Sequence, residues 1–315
     1  MELLQATLRR FGRLPVQNYL QARLPASFHG HRQDPREEDP VRLLRDNPVL
    51  LLTGPRPTSS LEALLCSWNP ELRADGRGNV QIGDAVTWHG PFQLDPTFAA
   101  GTDLPGGWST AYAARARRQR VRIPEGREAT SLRRRYPKDL PAGAEAQAWS
   151  LVSGLARRLH GAARLPGCPP YTPTSEQAAL CVYGNQALPW QVLRSVLELT
   201  LPELSRNGAL APNDYCLERP GQLEIKVQPL RDGEFLPYAL RSRAADGWPH
   251  TIYRFTCLQQ DSHLEMTRVV GRCLQAALLL SDVVGGVLLD SDGFPVPGLP
   301  SQVARQPATE QLPVV

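Results

Sequence analysis

Between Arg115 and Lys138 the chain carries ten basic residues and two acids, Glu125 and Glu128. That is +8 within a protein of net charge +4, so everything else sums to −4. Arg118, Arg120 and Arg122 alternate with Gln119, Val121 and Ile123, the pattern of a strand with one basic face. Arg133, Arg134, Arg135 and Lys138 follow, with Tyr136 beside them as a stacking surface. Guanidinium forks pair with phosphate oxygens and bases stack on aromatic rings. These seven basic residues are therefore the candidate site for an anionic partner, nucleic acid included. The plainer reading is a solvated edge strand and loop, whose charges block edge-to-edge pairing. Lysine occurs only at Lys138 and Lys226. So strong an arginine bias fits GC-rich, bacterial-type coding as well as it fits selected arginine chemistry.

Other chemistry-bearing residues are scattered. The six cysteines, Cys66, Cys168, Cys181, Cys216, Cys257 and Cys273, contain no C-x-x-C pair. That spacing fits neither a disulfide framework nor a zinc site, and points to a reducing, cytoplasmic setting. His29 and His31 stand two apart with no cysteine or carboxylate cluster to complete a metal shell. Asp290, Asp292 and Gly293 in LLDSDGF resemble the start of a calcium loop, but FPVPGLP follows and supplies no further ligand. A turn is the better reading. Thr53–Ser60, TGPRPTSS, lies between a strand and a helix but lacks the G-K-[ST] of a phosphate loop. No G-x-S-x-G is present. No cofactor and no metal are expected. His89, His250 and Cys257 are the first candidates if an active site exists.

The elements that must position these residues follow from periodicity. Apolar runs end in glycine at Val49–Gly54 and again at Ala178–Gly184, which predicts two buried strands. Helices are expected at Ser59–Trp68, Ala142–Gly161, Leu188–Leu204 and Ser262–Leu280. Ser262 and Glu265 give the last a capping box, and Gly161 is the expected stop of the second. Strands are expected at Asn79–Trp88 with a bulge at Gly83, along Trp108–Ile123 as one long exposed strand, and near Ala162–Leu165. Further strands are expected at Gln222–Val227, Thr251–Cys257 and Gly285–Gly293. Trp149 and Trp68 belong to helix stripes. Trp88, Trp108 and Trp248 adjoin turns, where they would line a groove or cover a sheet.

The order β-α-β-β-α-β thus occurs twice. Each copy resembles the split β-α-β unit called ferredoxin-like, which implies antiparallel sheets with helices on one face. The expected organisation is an N-terminal helix and linker over 1–40, a first α+β unit over 41–170, a second over 171–296 and a flexible tail over 297–315. The two units would be pseudo-symmetric. No stretch is apolar enough to span a membrane and no signal peptide is visible.

The ferredoxin-like unit hosts many activities, so the fold alone decides little. The absence of catalytic motifs favours a non-catalytic binding protein, taking a protein partner or an anionic one through 115–138. Two alternatives stand beside it: an enzyme with its site between the units, and a structural subunit of a larger assembly.

Overall fold

The computed structural model describes residues 39–296, apart from 55–57, 75–78, 84, 124–135, 137–138, 174–178, 208–213, 231–235, 242–248, 259 and 261. The expected N-terminal helix, the tail after 296, Trp248 and most of the linker lie outside these residues. The linker's last two residues do not. Asp39 caps a helix, α1 (Pro40–Asp46), by accepting from the backbone N–H of Val41, and Pro40 suits the first helical turn.

The fold is α+β, with antiparallel sheets. Its first half runs β1 (Val49–Leu52), α2 (Thr58–Trp68), β2 (Arg73–Ala74), β3 (Val80–Ile82), β4 (Val86–Gln93) and α3 (Pro96–Gly101). It continues with β5 (Thr110–Ala116), β6 (Arg120–Val121), β7 (Leu140–Pro141), α4 (Gly143–Leu159) and β8 (Ala162–Arg164). The second half runs β9 (Leu180–Gly184), α5 (Trp190–Leu197), β10 (Ser205–Asn207), β11 (Tyr215–Arg219) and β12 (Leu223–Pro229). It ends with α6 (Tyr238–Arg241), β13 (Thr251–Cys257), α7 (His263–Val283) and β14 (Val287–Asp290).

Among the described residues the strands form two six-stranded sheets. Their strand orders are β2-β3-β4-β5-β1-β8 and β10-β11-β12-β13-β9-β14. Four strands per sheet were expected. The additional edge strands come from hairpins hidden by composition. Asn79–Trp88 is a hairpin, with Val80 opposite Trp88 and Ile82 opposite Val86, and Gly83 lies in its turn at φ +65. The irregularity sits further along β4, where the register with β5 shifts between His89 and Phe92. Tyr215–Arg219 pairs with β12 through a turn containing Pro220 and Gly221.

The reading of Trp108–Ile123 as one exposed strand is corrected. β5 lies between β4 and β1, and its residues Thr110–Ala114 are buried. Alanines at 111, 113 and 114 let neighbouring layers approach both faces of this central strand. After Ala116 the chain leaves the sheet, and Arg120–Val121 pairs with Leu140–Pro141 in a separate two-stranded ribbon.

Each sheet has two apolar faces. In the first, Leu50, Leu52, Tyr112 and Ala163 pack against Leu61 and Leu65 of α2 and Leu151, Val152 and Leu155 of α4. On its other face Val49, Leu51, Ala111 and Ala162 meet Leu43 and Leu44 of α1. In the second sheet Val182, Ile225, Val227, Tyr253 and Phe255 pack against Leu193 and Leu197 of α5 and Cys273, Ala277 and Leu280 of α7. Its opposite face carries Cys181, Tyr183, Ile252 and Leu289, with Leu240 of α6 against them.

The end of α4 departs from the expected chemistry. The residue in the left-handed region after α4 is His160, at φ 54 and ψ 40, while Gly161 is present for space. A Cβ there would run into the carbonyl oxygen of Leu51. Ser262 caps α7 as expected, its hydroxyl accepting from the N–H of Glu265 at 3.1 Å. No helix among the described residues is long and apolar enough to cross a membrane.

Candidate functional site

α4 has a second face. Gln147, Ser150, Gly154, Arg157 and Arg158 point away from the first sheet, toward the second half of the chain. Arg158 Nη2 donates to Asp290 Oδ2 at 2.6 Å, and its guanidinium lies 4.0 Å from the centre of the Phe294 ring. Arg157 pairs with Asp292. Asp290 Oδ1 also accepts from the backbone N–H groups of Asp292 and Phe294, both at 3.0 Å. The carboxylate thus shapes the turn after β14 and anchors it to α4. This is the turn expected of LLDSDGF, with its oxygens engaged by N–H donors and arginine.

α6 makes the second join. The Tyr238 hydroxyl donates to Gln147 Oε1 at 2.7 Å, and its ring lies 4.9 Å from that of Trp68. A Cβ on Gly83 would collide with the same ring, so the β3–β4 turn forms one wall of its socket. Trp68 is buried, as expected from its helix stripe, but its neighbours Tyr238 and Phe294 belong to the other half of the chain.

Between these joins lies a cleft of about 500 Å³. Ala146, Gln147 and Ser150 of α4 form one side. Cys181 and Tyr183 of β9, Arg254 of β13 and Asp290 form the other, with Trp68, Pro237 and Tyr238 closing an end. A cavity of this size suits a small molecule, and an apolar wall with a few convergent polar groups is the usual lining of a ligand site. Alternation along β13 explains Arg254: Tyr253 and Phe255 point into the α5–α7 core, so Arg254 points to the cleft side, where it is exposed.

The charges there do not cancel. Arg157 and Arg158 are matched by Asp290 and Asp292. Arg254 has no carboxylate partner among the described residues, and its side chain interacts with the thiol of Cys181. Burial pushes that thiol upward, with Asp290 adding to the effect and Arg254 opposing it, so Cys181 faces the cleft as a neutral thiol. A neutral thiol is a poor nucleophile.

The basic stretch divides. Arg120 is only partly exposed. Its Nε lies 2.8 Å from both oxygens of Glu145, its Nη2 lies 2.5 Å from Oε1, and its Nη1 donates to the carbonyl of Asp139. Glu145 is itself buried in the first turn of α4. Beside the pair, the Gln119 side chain accepts from the N–H of Ala144 at 2.9 Å. Gln119 and Arg120 therefore organise the N-terminus of α4, where a carboxylate is also favoured by the helix dipole. The expected alternation, with Arg118, Arg120 and Arg122 sharing one face, gives way to this inward turn of Arg120. Arg118 and Arg122 are exposed. Arg133, Arg134, Arg135 and Lys138 lie outside the described residues.

His89, His250 and Cys257 are not brought together. His89 is on β4 of the first sheet, whereas His250 and Cys257 flank opposite ends of β13, about 20 Å apart at ~3.3 Å per residue. Trp88 is buried and stacked on Tyr112 at 5.5 Å, so it lines no groove, and Trp108 packs beside α1. Among the described residues no group of three or more His, Cys, Asp or Glu is placed to hold a metal ion.

A scan against protein-family models, a search of curated proteins and a search of solved structures each find no match to this chain. The functional reading therefore rests on the geometry alone.

The cleft was missed in sequence because its residues come from six segments. One signal was available: Arg254 is the only charged residue within TIYRFTC. A lone arginine inside a buried strand must face something that tolerates its charge.

Proposed function

We propose that this chain is a non-catalytic binding protein on an internally duplicated, ferredoxin-like α+β scaffold, and that the cleft between its sheets is the ligand seat. Duplication is supported by the matching strand orders: in each sheet the first strand of the half lies between its last and next-to-last strands. Within each set, the order last-first-third-second of a ferredoxin-like unit is recovered if β2 and β3, or β10 and β11, are taken as additions to the edge.

The observation that carries the binding reading is Arg254, exposed at the cleft and unmatched by any carboxylate among the described residues. The ligand it suits has an aromatic or apolar body and one carboxylate, sulfonate or phosphate. The body would lie among Trp68, Tyr183 and Tyr238, and the anion on the guanidinium. A suitable probe is 8-anilinonaphthalene-1-sulfonate, which joins an aromatic body to an anion. Saturable enhancement of its fluorescence is expected, weakened about tenfold by Arg254→Gln and unchanged by Arg118→Ala. Equal affinity in the Arg254 variant would overturn the assignment.

A second reading concerns a larger anionic partner, nucleic acid included, on the basic stretch. What favours it is the exposure of Arg117, Arg118 and Arg122 at the end of β5 and along the ribbon. Binding of a short nucleic acid should then fall steeply between two salt concentrations and fall again when Arg133, Arg134 and Arg135 are changed to alanine. Absence of binding at low salt would return these arginines to a solvated surface and leave a protein partner.

A further inference from the structure

On the far side of the second sheet from the cleft, two thiols are in contact. Cys257 is the last residue of β13 and Cys273 lies midway along α7; their sulfurs are 3.0 Å apart. A disulfide bond is about 2.05 Å long, so closing the bond needs a movement of about 1 Å. Cys273 is fully buried, whereas Cys257 is half-buried at the end of its strand. One sulfur is thus open to a small reagent while the other waits behind it.

The thiols are also unequal. The hydrogen bond between them favours the thiolate at Cys257 and lowers its pKa, against the effect of burial. The same hydrogen bond, with burial, raises that of Cys273. Burial raises Cys66, Cys181 and Cys216 as well. Reactivity follows thiolate character and access, and Cys257 combines the two.

We propose that Cys257 and Cys273 are a redox pair that closes to an intramolecular disulfide when a hydroperoxide is present. The Cys257 thiolate attacks the peroxide oxygen, the O–O bond breaks, and Cys257 sulfenic acid and an alkoxide (hydroxide, for hydrogen peroxide) are formed. The Cys273 thiol gives its proton to the sulfenic oxygen as its sulfur displaces water from Cys257, and the S–S bond forms. The alkoxide takes up the proton originally lost by Cys257. Two thiols and one hydroperoxide yield one disulfide, one water and one alcohol, or two waters from hydrogen peroxide; two electrons pass to the peroxide. A dithiol reductant restores the starting state. The bond ties the end of β13 to α7 across 16 residues of chain.

The test is oxidation of the full chain with a small excess of hydrogen peroxide. Thiols are counted before and after, and peptides are mapped without reduction. The expected result is a loss of two thiols, a linked peptide pair containing Cys257 and Cys273, and a melting temperature several degrees higher that returns to its starting value with dithiothreitol. In Cys257→Ser the linked pair is absent and the paired loss of thiols disappears. The wild-type map decides the matter even if that variant folds poorly. A map with no Cys257–Cys273 link, or with links at other cysteines only, overturns the proposal.

Discussion

The indole N–H of Trp68 donates to the main-chain carbonyl of Asp292 at 2.7 Å, joining the last residue of α2 to the turn after β14 across 224 positions of sequence. The same indole packs against Tyr238 and Phe294, with ring centres 4.9 and 6.3 Å away. Trp68→Phe removes the hydrogen bond and keeps most of the contact; a loss of about 1 kcal/mol in urea unfolding is expected. Trp68→Ala removes both and should cost about 3–5 kcal/mol. In the alanine variant, probes on the two halves are expected to report different midpoints.

A smaller change reaches the same join from the other side. A Cβ on Gly154 of α4 would meet the Phe294 ring, with the Asp292 Cβ only 2.9 Å away. Gly154→Ala gains helix propensity and yet should lose about 1–3 kcal/mol, because two packed layers must separate to admit one methyl group. Gly271 lies on α7 with open space around it. Gly271→Ala should gain up to about 1 kcal/mol by the same propensity. Thermal melts of the two variants, moving in opposite directions, would separate propensity from packing.

Arg118 and Arg120 stand two apart in sequence and are expected to behave in opposite ways. Arg118 is exposed, so Arg118→Ala should change stability by no more than about 0.5 kcal/mol. Arg120 serves the buried Glu145, and Arg120→Ala leaves that carboxylate without its guanidinium. A loss of about 3 kcal/mol in chemical denaturation is expected. Equal effects of the two changes would contradict the division of the basic stretch described above.

Much of the architecture is legible in the sequence because it rests on short-range pattern. The glycine-ended apolar runs became β1 and β9, the helical stripes became α2, α4 and α7, and Ser262 caps α7 through the N–H of Glu265, the serine half of the expected capping box. Elements failed where local pattern gives way to tertiary demand. α1 was not read because its seven residues offer only Val41, Leu43 and Leu44 as an apolar pattern, although Asp39-Pro40 is a capped start. β11 was hidden because its outward residues, Cys216 and Glu218, and the following Pro220 read as loop. The alternation Arg118, Arg120, Arg122 implies a strand face only while the strand continues, and here the chain turns to cap α4. The cleft depends on which face of the second sheet meets α4, and no local rule carries that information.

Cys216 offers a test by pH. Burial pushes its thiol from the ordinary 9.0 up to about 11, with the nearby Glu224 adding to the shift. The raised value leaves less thiolate at any pH below it; at pH 8 the thiolate fraction should be about one hundredth of that of a free thiol. Alkylation of Cys216 by iodoacetamide is expected to be correspondingly slow at pH 8 and to accelerate tenfold per pH unit up to about 11. Peptide mapping of the labelled protein over that range would read the curve directly. A plateau near pH 9 would show an ordinary thiol.

The reliance of α4 on Asp290 has a consequence for biosynthesis. Arg158 leaves the ribosome 132 residues before the aspartate that will neutralise it. Throughout that interval the outer face of α4, with its arginines and the small Gly154, has no covering layer. Trp68 likewise lacks the rings of Tyr238 and Phe294 until the second half is made, which leaves apolar surface of the kind that holding chaperones bind. Slow codons placed between the two halves would lengthen its exposure rather than assist it, since the stabilising turn is made only after the whole of the second sheet.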